Sequence, residues 1–193
     1  MPLPLFELII KDDDHSGVTA TALVDSPAIE MNWQAFEKAE PIKFLTFSQE
    51  KRIVRGPLMI PNTPIYSADS KGEYNVWFSA KTIEQIRNKV HKNQYTNRVN
   101  PMHESMMLLP DIYMVSDYLI DRENGLDPKG FEKAPNGSWM AEFKVSNDQI
   151  WNEYIKTGIF KGFSVEGFFE DVESQLTEDQ VKKLAKFLQL FPN

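Results

Sequence analysis

The chain has 193 residues, of which 41% are hydrophobic and 25% are charged, and its formal net charge is −7. This length suits one domain that buries a core of its own, and the acidic balance argues against a protein that binds phosphate backbones. The sequence contains no cysteine, which excludes disulfides, thiolate metal sites and a cysteine nucleophile.

No feature of the sequence predicts membrane insertion or export. No apolar run reaches the ~18 residues of a membrane span. The first residues, MPLPLFELIIKDDD, lack the basic start and long apolar stretch of a signal peptide. We therefore expect one domain over residues 1–193 in a cytosolic compartment, with neither a membrane nor a nucleic acid as partner.

Apolar runs and turn signals predict about eight strands spread over the whole chain. In chain order they are 3–11 and 17–24 as a hairpin, 45–48, 51–60, 73–78, 106–121 as one strand or as two with a break at Pro110, 138–145 and 158–170. Pro57 cannot donate to a central ladder, so the 51–60 strand should lie at an edge or carry a bulge there. Residues 61–72 and 122–136 are predicted loops, and residues 28–44 stay ambiguous.

Helix caps and apolar spacing predict three helices. They are 79–93, capped by Ser79; a helix opened by Ser146 with Gln149 as a capping box and ended by Gly158; and 177–191, with a wide apolar stripe. Strands and helices do not alternate regularly. The predicted class is therefore α+β, mainly β: a mostly antiparallel barrel or curled sheet with about three peripheral helices.

The strand 158–170 carries two polar side chains among aromatic ones. Strand side chains alternate faces, so Ser164 and Glu166 should share one face and Phe163 should lie on the other. Gly162 and Gly167 flank them and allow another backbone or an extended ligand to approach closely. The polar face either meets solvent or serves a function, because burying unpaired polar groups is costly.

Few other residues offer chemistry. His15 stands in an acidic turn typical of solvated loops, and His91 lies at the end of a predicted helix, where a structural role is favoured. His103 stands at a loop-to-strand junction, where functional groups are often held. HExxH, GxSxG and phosphate-binding glycine loops are absent. We predict no cofactor and no metal, and a Ser–His pair of Ser164 and His103 is what remains.

Four stretches carry a resemblance to a known family. They are GVTATALVDSPAIE at 17–30, KRIVRGPLMIPNTPIY at 51–66, YTNRVNPMHES at 95–105 and KGFSVEGFF at 161–169. Over residues 17–170 the chain resembles the phage prohead proteases of the XkdF-like family, relatives of the herpesvirus protease assemblin. The resemblance implies a serine endopeptidase on an assemblin-like β-barrel. Such an enzyme acts inside the immature capsid in the bacterial cytoplasm, cuts scaffold and capsid-protein extensions and commonly itself, and assembles with copies of itself or with scaffold.

Carried over from the family, Ser164 is the nucleophile and His103 the general base, with the catalytic motifs inside 95–170. Histidine takes the serine proton during attack and returns it to the leaving amine. Backbone N–H groups near Gly162 or Gly167 are candidate donors to the oxyanion. This arrangement predicts that Ser164 and His103 lie on neighbouring strands with converging side chains.

The third catalytic group is where the chain departs from the family. Many members end in a strand of pattern E-V-S-L-V-x-x-P-A after the serine, whereas here a similar string, ATALVDSPA, stands at 20–28. That order indicates a circular permutation, with strand 17–24 beside the Ser164 strand and Ala20 at the glutamate position. The substitutes, in order, are Glu166, Asp25 and Asp171, while Glu104 should point away from His103. A plain salt bridge is the alternative role for Glu166. Two functions stay open: an active capsid-maturation protease, or an inactive capsid-associated scaffold module of the same fold.

Overall fold

The computed structural model describes residues 3–11, 16–27, 44–70 and 72–173. The strands within these ranges are β1 (Leu5–Ile9), β2 (Gly17–Val24), β3 (Leu45–Ser48), β4 (Ile53–Met59), β5 (Ile65–Asp69), β6 (Gly72–Trp77), β7 (Val99–Pro101), β8 (Ile112–Leu119), β9 (Trp139–Val145), β10 (Gly162–Phe168) and β11 (Glu170–Glu173). An α-helix, α1, spans Ala80–Lys92, a π-helix spans Ile150–Ile155, and 3₁₀ turns lie at Tyr95–Asn97 and Arg122–Asn124.

The strands form three sheets, in the orders β11-β1-β6-β5, β10-β2-β7 and β3-β4-β9-β8. Most neighbours are antiparallel, but β1 pairs with β6 and β2 pairs with β7 in parallel. The mainly-β α+β class is therefore confirmed. A barrel needs one ladder that closes on itself, and the described strands form no such ladder, so the barrel is not confirmed.

Several local predictions are confirmed in detail. Ser79 caps α1, its Oγ accepting from the backbone N–H of Thr82 at 3.2 Å, and the apolar stripe of that helix is buried. The register of β4 and β9 shifts just after Pro57. β3 pairs with β4 only up to Arg55, so Pro57 lies at a bulge and beside one strand only, as its missing N–H requires.

Other local predictions are wrong. Strands β1 and β2 do not form a hairpin, because β1 pairs with β11 and β6 while β2 pairs with β10 and β7. Within 61–72, predicted as loop, β5 pairs with β6. Of the range 106–121, predicted as one strand or two, only β8 (Ile112–Leu119) forms a strand.

The predicted helices have mixed outcomes. The helix predicted after Ser146 begins with a different contact, in which Asn147 Oδ1 accepts from Ile150 N at 2.9 Å, and it winds as a π-helix. Gly158 follows it at φ 71°, the left-handed C-terminal position that glycine favours. Two of the three predicted helices thus lie in the described ranges, while helix 177–191 and residues 28–43 lie outside them.

The core joins the three-stranded sheet to the second four-stranded sheet through aromatic side chains. Phe163 of β10 packs against Phe143 of β9 in a tilted arrangement, with ring centroids 4.8 Å apart, and against Phe44 at 5.3 Å. Phe163 and Phe143 are both buried. This packing turns one face of β10 into the core and fixes the direction of the opposite face, which carries Ser164.

Candidate functional site

Ser164 belongs to the three-stranded sheet, where β2 is the middle strand. Ser164 pairs with Ala22 across the β10–β2 ladder, and Ala22 pairs with Asn100 across the β2–β7 ladder. Paired residues project on the same face, so Ser164 and Asn100 stand on one face with a small alanine between them. The predicted pairing of strand 17–24 with the Ser164 strand is confirmed.

Glu166 stands on the same face, two residues further along β10, opposite Ala20. The register shifts between Glu166 and Gly167, which marks a β-bulge. A Cβ on Gly167 would lie 2.3 Å from the backbone oxygen of Gly17. Another backbone does approach this glycine, as the sequence predicted, and it is the start of β2.

His103 lies in a turn directly after β7. The backbone oxygen of Pro101 accepts from Glu104 N at 2.8 Å, and the two central residues, Met102 and His103, have φ values of 49° and 63°. Positive φ at both central positions is the type I′ pattern, which glycine and asparagine favour. Neither stands here, so the turn holds His103 in a backbone conformation that is costly for an ordinary residue.

The carboxylate of Glu166 joins β10 to this turn. Its Oε1 lies 3.1 Å from Nδ1 of His103 and accepts a hydrogen bond of 2.9 Å from Nδ2 of Asn100. The Glu166 side chain is 15% exposed and that of His103 is 45% exposed. A carboxylate only accepts hydrogen bonds, so in the neutral His103 ring this contact favours the tautomer with its proton on Nδ1, in which the Nε2 lone pair is free to act as a base.

Ser164 makes no hydrogen bond to His103. Strand β2 separates β10 from β7, so the prediction that the two residues lie on neighbouring strands is wrong. Ser164 is 7% exposed, and within the described ranges its hydroxyl has no hydrogen-bond partner. Contacts between nucleophile and base are often long in enzymes without substrate and tighten on binding.

Of the other two proposed substitutes, Asp25 makes no hydrogen bond or ion pair with His103, and the backbone of Asp171 lies in a different sheet. The backbone N–H of Asp25 contacts the Sδ of Met102 at 3.4 Å, but no hydrogen bond or ion pair joins the Asp25 carboxylate to His103. Asp171 pairs with Leu8 in a different sheet. Glu104, next to His103, makes no side-chain hydrogen bond with it.

The two other histidines of the chain are His91 and His15. His91 Nε2 lies 2.8 Å from Oδ1 of Asp117, whose Oδ2 accepts from Arg87 Nε and from Trp139 Nε1. This cluster ties α1 to the second four-stranded sheet, in keeping with the structural role predicted for His91. His15 lies outside the described residues.

Two further features bear on the kind of site. Among the described residues, no group of three or more His, Asp or Glu side chains is placed to hold a metal ion. No helix within those ranges is long and apolar enough to cross a membrane.

The sequence did not single out two features of the site. Asn100 is completely buried and contacts Glu166; its signal was a polar residue in an otherwise apolar short strand. Beyond His103 the chain exposes apolar side chains, of which Met106 is 99% exposed. The sequence indicated a strand there, because apolar runs usually mark buried elements.

A family model described as "Putative phage serine protease XkdF" matches residues 41–173 of the chain. The matched range contains Asn100, His103, Ser164 and Glu166, and covers well over half of the sequence. No curated protein and no solved structure gave a significant match.

Proposed function

Since the chain belongs to the XkdF family of phage serine proteases, we propose that it is a serine endopeptidase of phage head maturation. Its substrates are scaffold and capsid-protein extensions, and itself, cut inside the immature capsid in the host cytoplasm. The observation that carries the proposal is the 3.1 Å contact between Glu166 Oε1 and His103 Nδ1, made on the face of β10 that carries Ser164.

The proposed chemistry follows from these positions. His103 Nε2 takes the proton of Ser164 Oγ as the oxygen attacks the scissile carbonyl, and Glu166 stabilises the imidazolium that forms. The C–N bond then breaks, His103 gives its proton to the leaving amine, and water releases the acyl group by the reverse steps. The distance between His103 Nε2 and Ser164 Oγ shortens when substrate binds, as contacts between nucleophile and base often do.

The relation to assemblin belongs to the same proposal. The resemblance assigns the family's glutamate position to Ala20, and Glu166 pairs with Ala20 across the β10–β2 ladder. We propose that the carboxylate is supplied by the opposite strand, so that the orienting group reaches the same region of the sheet. Self-association through the region beyond residue 173 is part of this proposal.

Two observations favour a second function, an inactive capsid-associated scaffold module. No hydrogen bond joins Ser164 to His103 in this structure, and Ala20 cannot orient a histidine. A protein that kept the sheet and lost activity would show both features. It would bind scaffold without cutting it.

The test is to incubate the purified chain with the scaffold and major capsid proteins of the same phage, beside a Ser164→Ala variant. The protease proposal predicts discrete products with the wild type and none with Ser164→Ala. Co-sedimentation with scaffold, without cleavage by either protein, would establish the scaffold module instead. Equal cleavage by both proteins would indicate a contaminating protease and remove Ser164 from the account.

A further inference from the structure

Asn100 is the most completely buried polar residue near the candidate site. It is 0% exposed, and it lies in β7, beside Ala22 of β2. Asparagine is rarely buried without a purpose, because its amide offers two donors and an acceptor that all need partners. An apolar side chain at this position would need no hydrogen-bond partners, so the amide calls for an explanation.

The two polar atoms of the Asn100 side chain differ in their hydrogen bonding. Nδ2 donates to Glu166 Oε1 at 2.9 Å, while Oδ1 is buried and has no hydrogen-bond partner among the described residues. Reversing the amide would place Oδ1 against the Glu166 carboxylate, two acceptors facing each other. The orientation is therefore set by Glu166.

The Asn100 amide donates to the same Glu166 oxygen that contacts His103. Glu166 Oε1 is also the atom that lies 3.1 Å from His103 Nδ1. Asn100 approaches it from β7 and Glu166 from β10, over the small side chains of Ala20 and Ala22 on the strand between. Because His103 stands in the turn that follows β7, one short segment supplies both the histidine and the group that holds its carboxylate.

We propose that Asn100 is a positioning residue: its amide fixes Glu166 Oε1 and thereby holds the His103 ring with its proton on Nδ1. The catalytic part of this proposal rests on the proposed function. The positional part concerns the resting protein and stands without it. An orienting contact of this kind matters because a misplacement of ~1 Å in an active site can lower the rate about 10²-fold.

The test uses ¹⁵N-labelled histidine in the full chain, at a pH where the rings are neutral. The chain has three histidines, and a His103→Ala spectrum assigns the signals of His103. The wild type should show a protonated Nδ1 and a free Nε2. In Asn100→Leu the Nε2-protonated tautomer should appear beside it. Asn100→Ala, which fits whether or not a leucine does, should show the same change.

Thr21→Val is the matched control. Thr21 is also a buried polar residue of this sheet, one position from Ala22, and it makes no hydrogen bond to Glu166. Its substitution should leave the His103 tautomer and the cleavage rate unchanged. With scaffold as substrate, Asn100→Leu should lower kcat about 10²-fold while KM stays near its wild-type value.

The outcomes separate the two claims. An unchanged His103 tautomer in both Asn100 variants overturns the positioning role, whatever the cleavage assay shows. An unchanged kcat in an active enzyme overturns its part in catalysis. If the wild type cuts nothing, the proposed function fails, and the tautomer measurement alone decides whether Asn100 positions Glu166.

Discussion

Glu166 and His103 are 63 residues apart in sequence, yet Oε1 of the first lies 3.1 Å from Nδ1 of the second. The contact joins the strand that carries Ser164 to the turn after β7. It gives the histidine a defined tautomer, which is what a serine nucleophile needs from its base.

Replacing Glu166 by glutamine tests that contact. The glutamine side chain has nearly the same size but could donate an N–H to His103 Nδ1, which favours the wrong tautomer. We expect E166Q to fold normally and to lose activity by a factor of order 10⁴, as the equivalent change does in a serine protease of unrelated fold. Initial rates of scaffold cleavage measure it. Glu104→Gln, beside His103 but not hydrogen-bonded to it, should cut at the wild-type rate; an equal loss in both variants would point to a general charge effect.

Replacing Ser164 by alanine should abolish activity without changing stability. The Ser164 side chain has no hydrogen-bond partner among the described residues, so Ser164→Ala should leave the free energy of unfolding within about 0.5 kcal/mol of wild type while cleavage is lost. Adding Glu166→Gln should lower the residual rate little further, because residues that act as a unit are not additive.

Ser138→Ala is the reverse control for that experiment. Ser138 is fully buried and its Oγ donates to the backbone oxygen of Pro135 at 2.7 Å. Its loss should lower the free energy of unfolding by about 1 kcal/mol and leave cleavage intact. A Ser164→Ala variant that unfolds more readily than Ser138→Ala would indicate that Ser164 has a structural role.

The turn that carries His103 predicts a stabilising substitution. Met102 adopts a φ of 49°, in a region that asparagine occupies far more readily than methionine. Met102→Asn should raise the free energy of unfolding by about 1 kcal/mol, as measured by urea denaturation. Met106→Asn makes the same chemical change at a fully exposed position without positive φ, and should change stability by less than about 0.5 kcal/mol. Destabilisation by Met102→Asn would mean that the methionine side chain, not the backbone, determines the turn.

Replacing Asp117 should lower the free energy of unfolding strongly and leave the cleavage rate unchanged. The Asp117 side chain is 7% exposed and accepts from Arg87, His91 and Trp139. Asp117→Asn removes the charge and turns an accepting atom into a donor, which leaves Arg87 without its ion pair. We expect the free energy of unfolding to fall by about 2–3 kcal/mol. This is less than the full cost of breaking a buried ion pair, because Arg87 is partly exposed. Asp148→Asn, which breaks the exposed pair with Arg52, should cost less than about 1 kcal/mol.

Local patterns predicted the elements of the site well. The alternation of Phe163, Ser164 and Glu166 follows from the period of a strand, and the structure buries Phe163 in the core on the opposite face. The Ser79 cap and the apolar face of α1 were predicted equally well, because caps and helical spacing depend on neighbouring residues only.

Pairings between distant segments were harder to predict. Strand β1 lies beside β11, from near the other end of the chain, and β2 enters between β10 and β7. No local pattern specifies such partners. The predictions of a β1–β2 hairpin and of neighbouring strands for Ser164 and His103 were therefore wrong. The β2–β10 pairing was predicted only through the family resemblance. Asn100 was missed because its partner, Glu166, comes from another strand.

Covalent labelling with a fluorophosphonate, followed by peptide mass spectrometry, measures directly whether Ser164 is an activated nucleophile. Such reagents modify serines that a nearby base activates, and the experiment needs no knowledge of the natural substrate. We expect an adduct on Ser164 in the wild type, and a strong loss of that adduct in His103→Ala. An unmodified Ser164, or equal labelling of Ser164 with and without His103, would contradict the proposed role of Ser164.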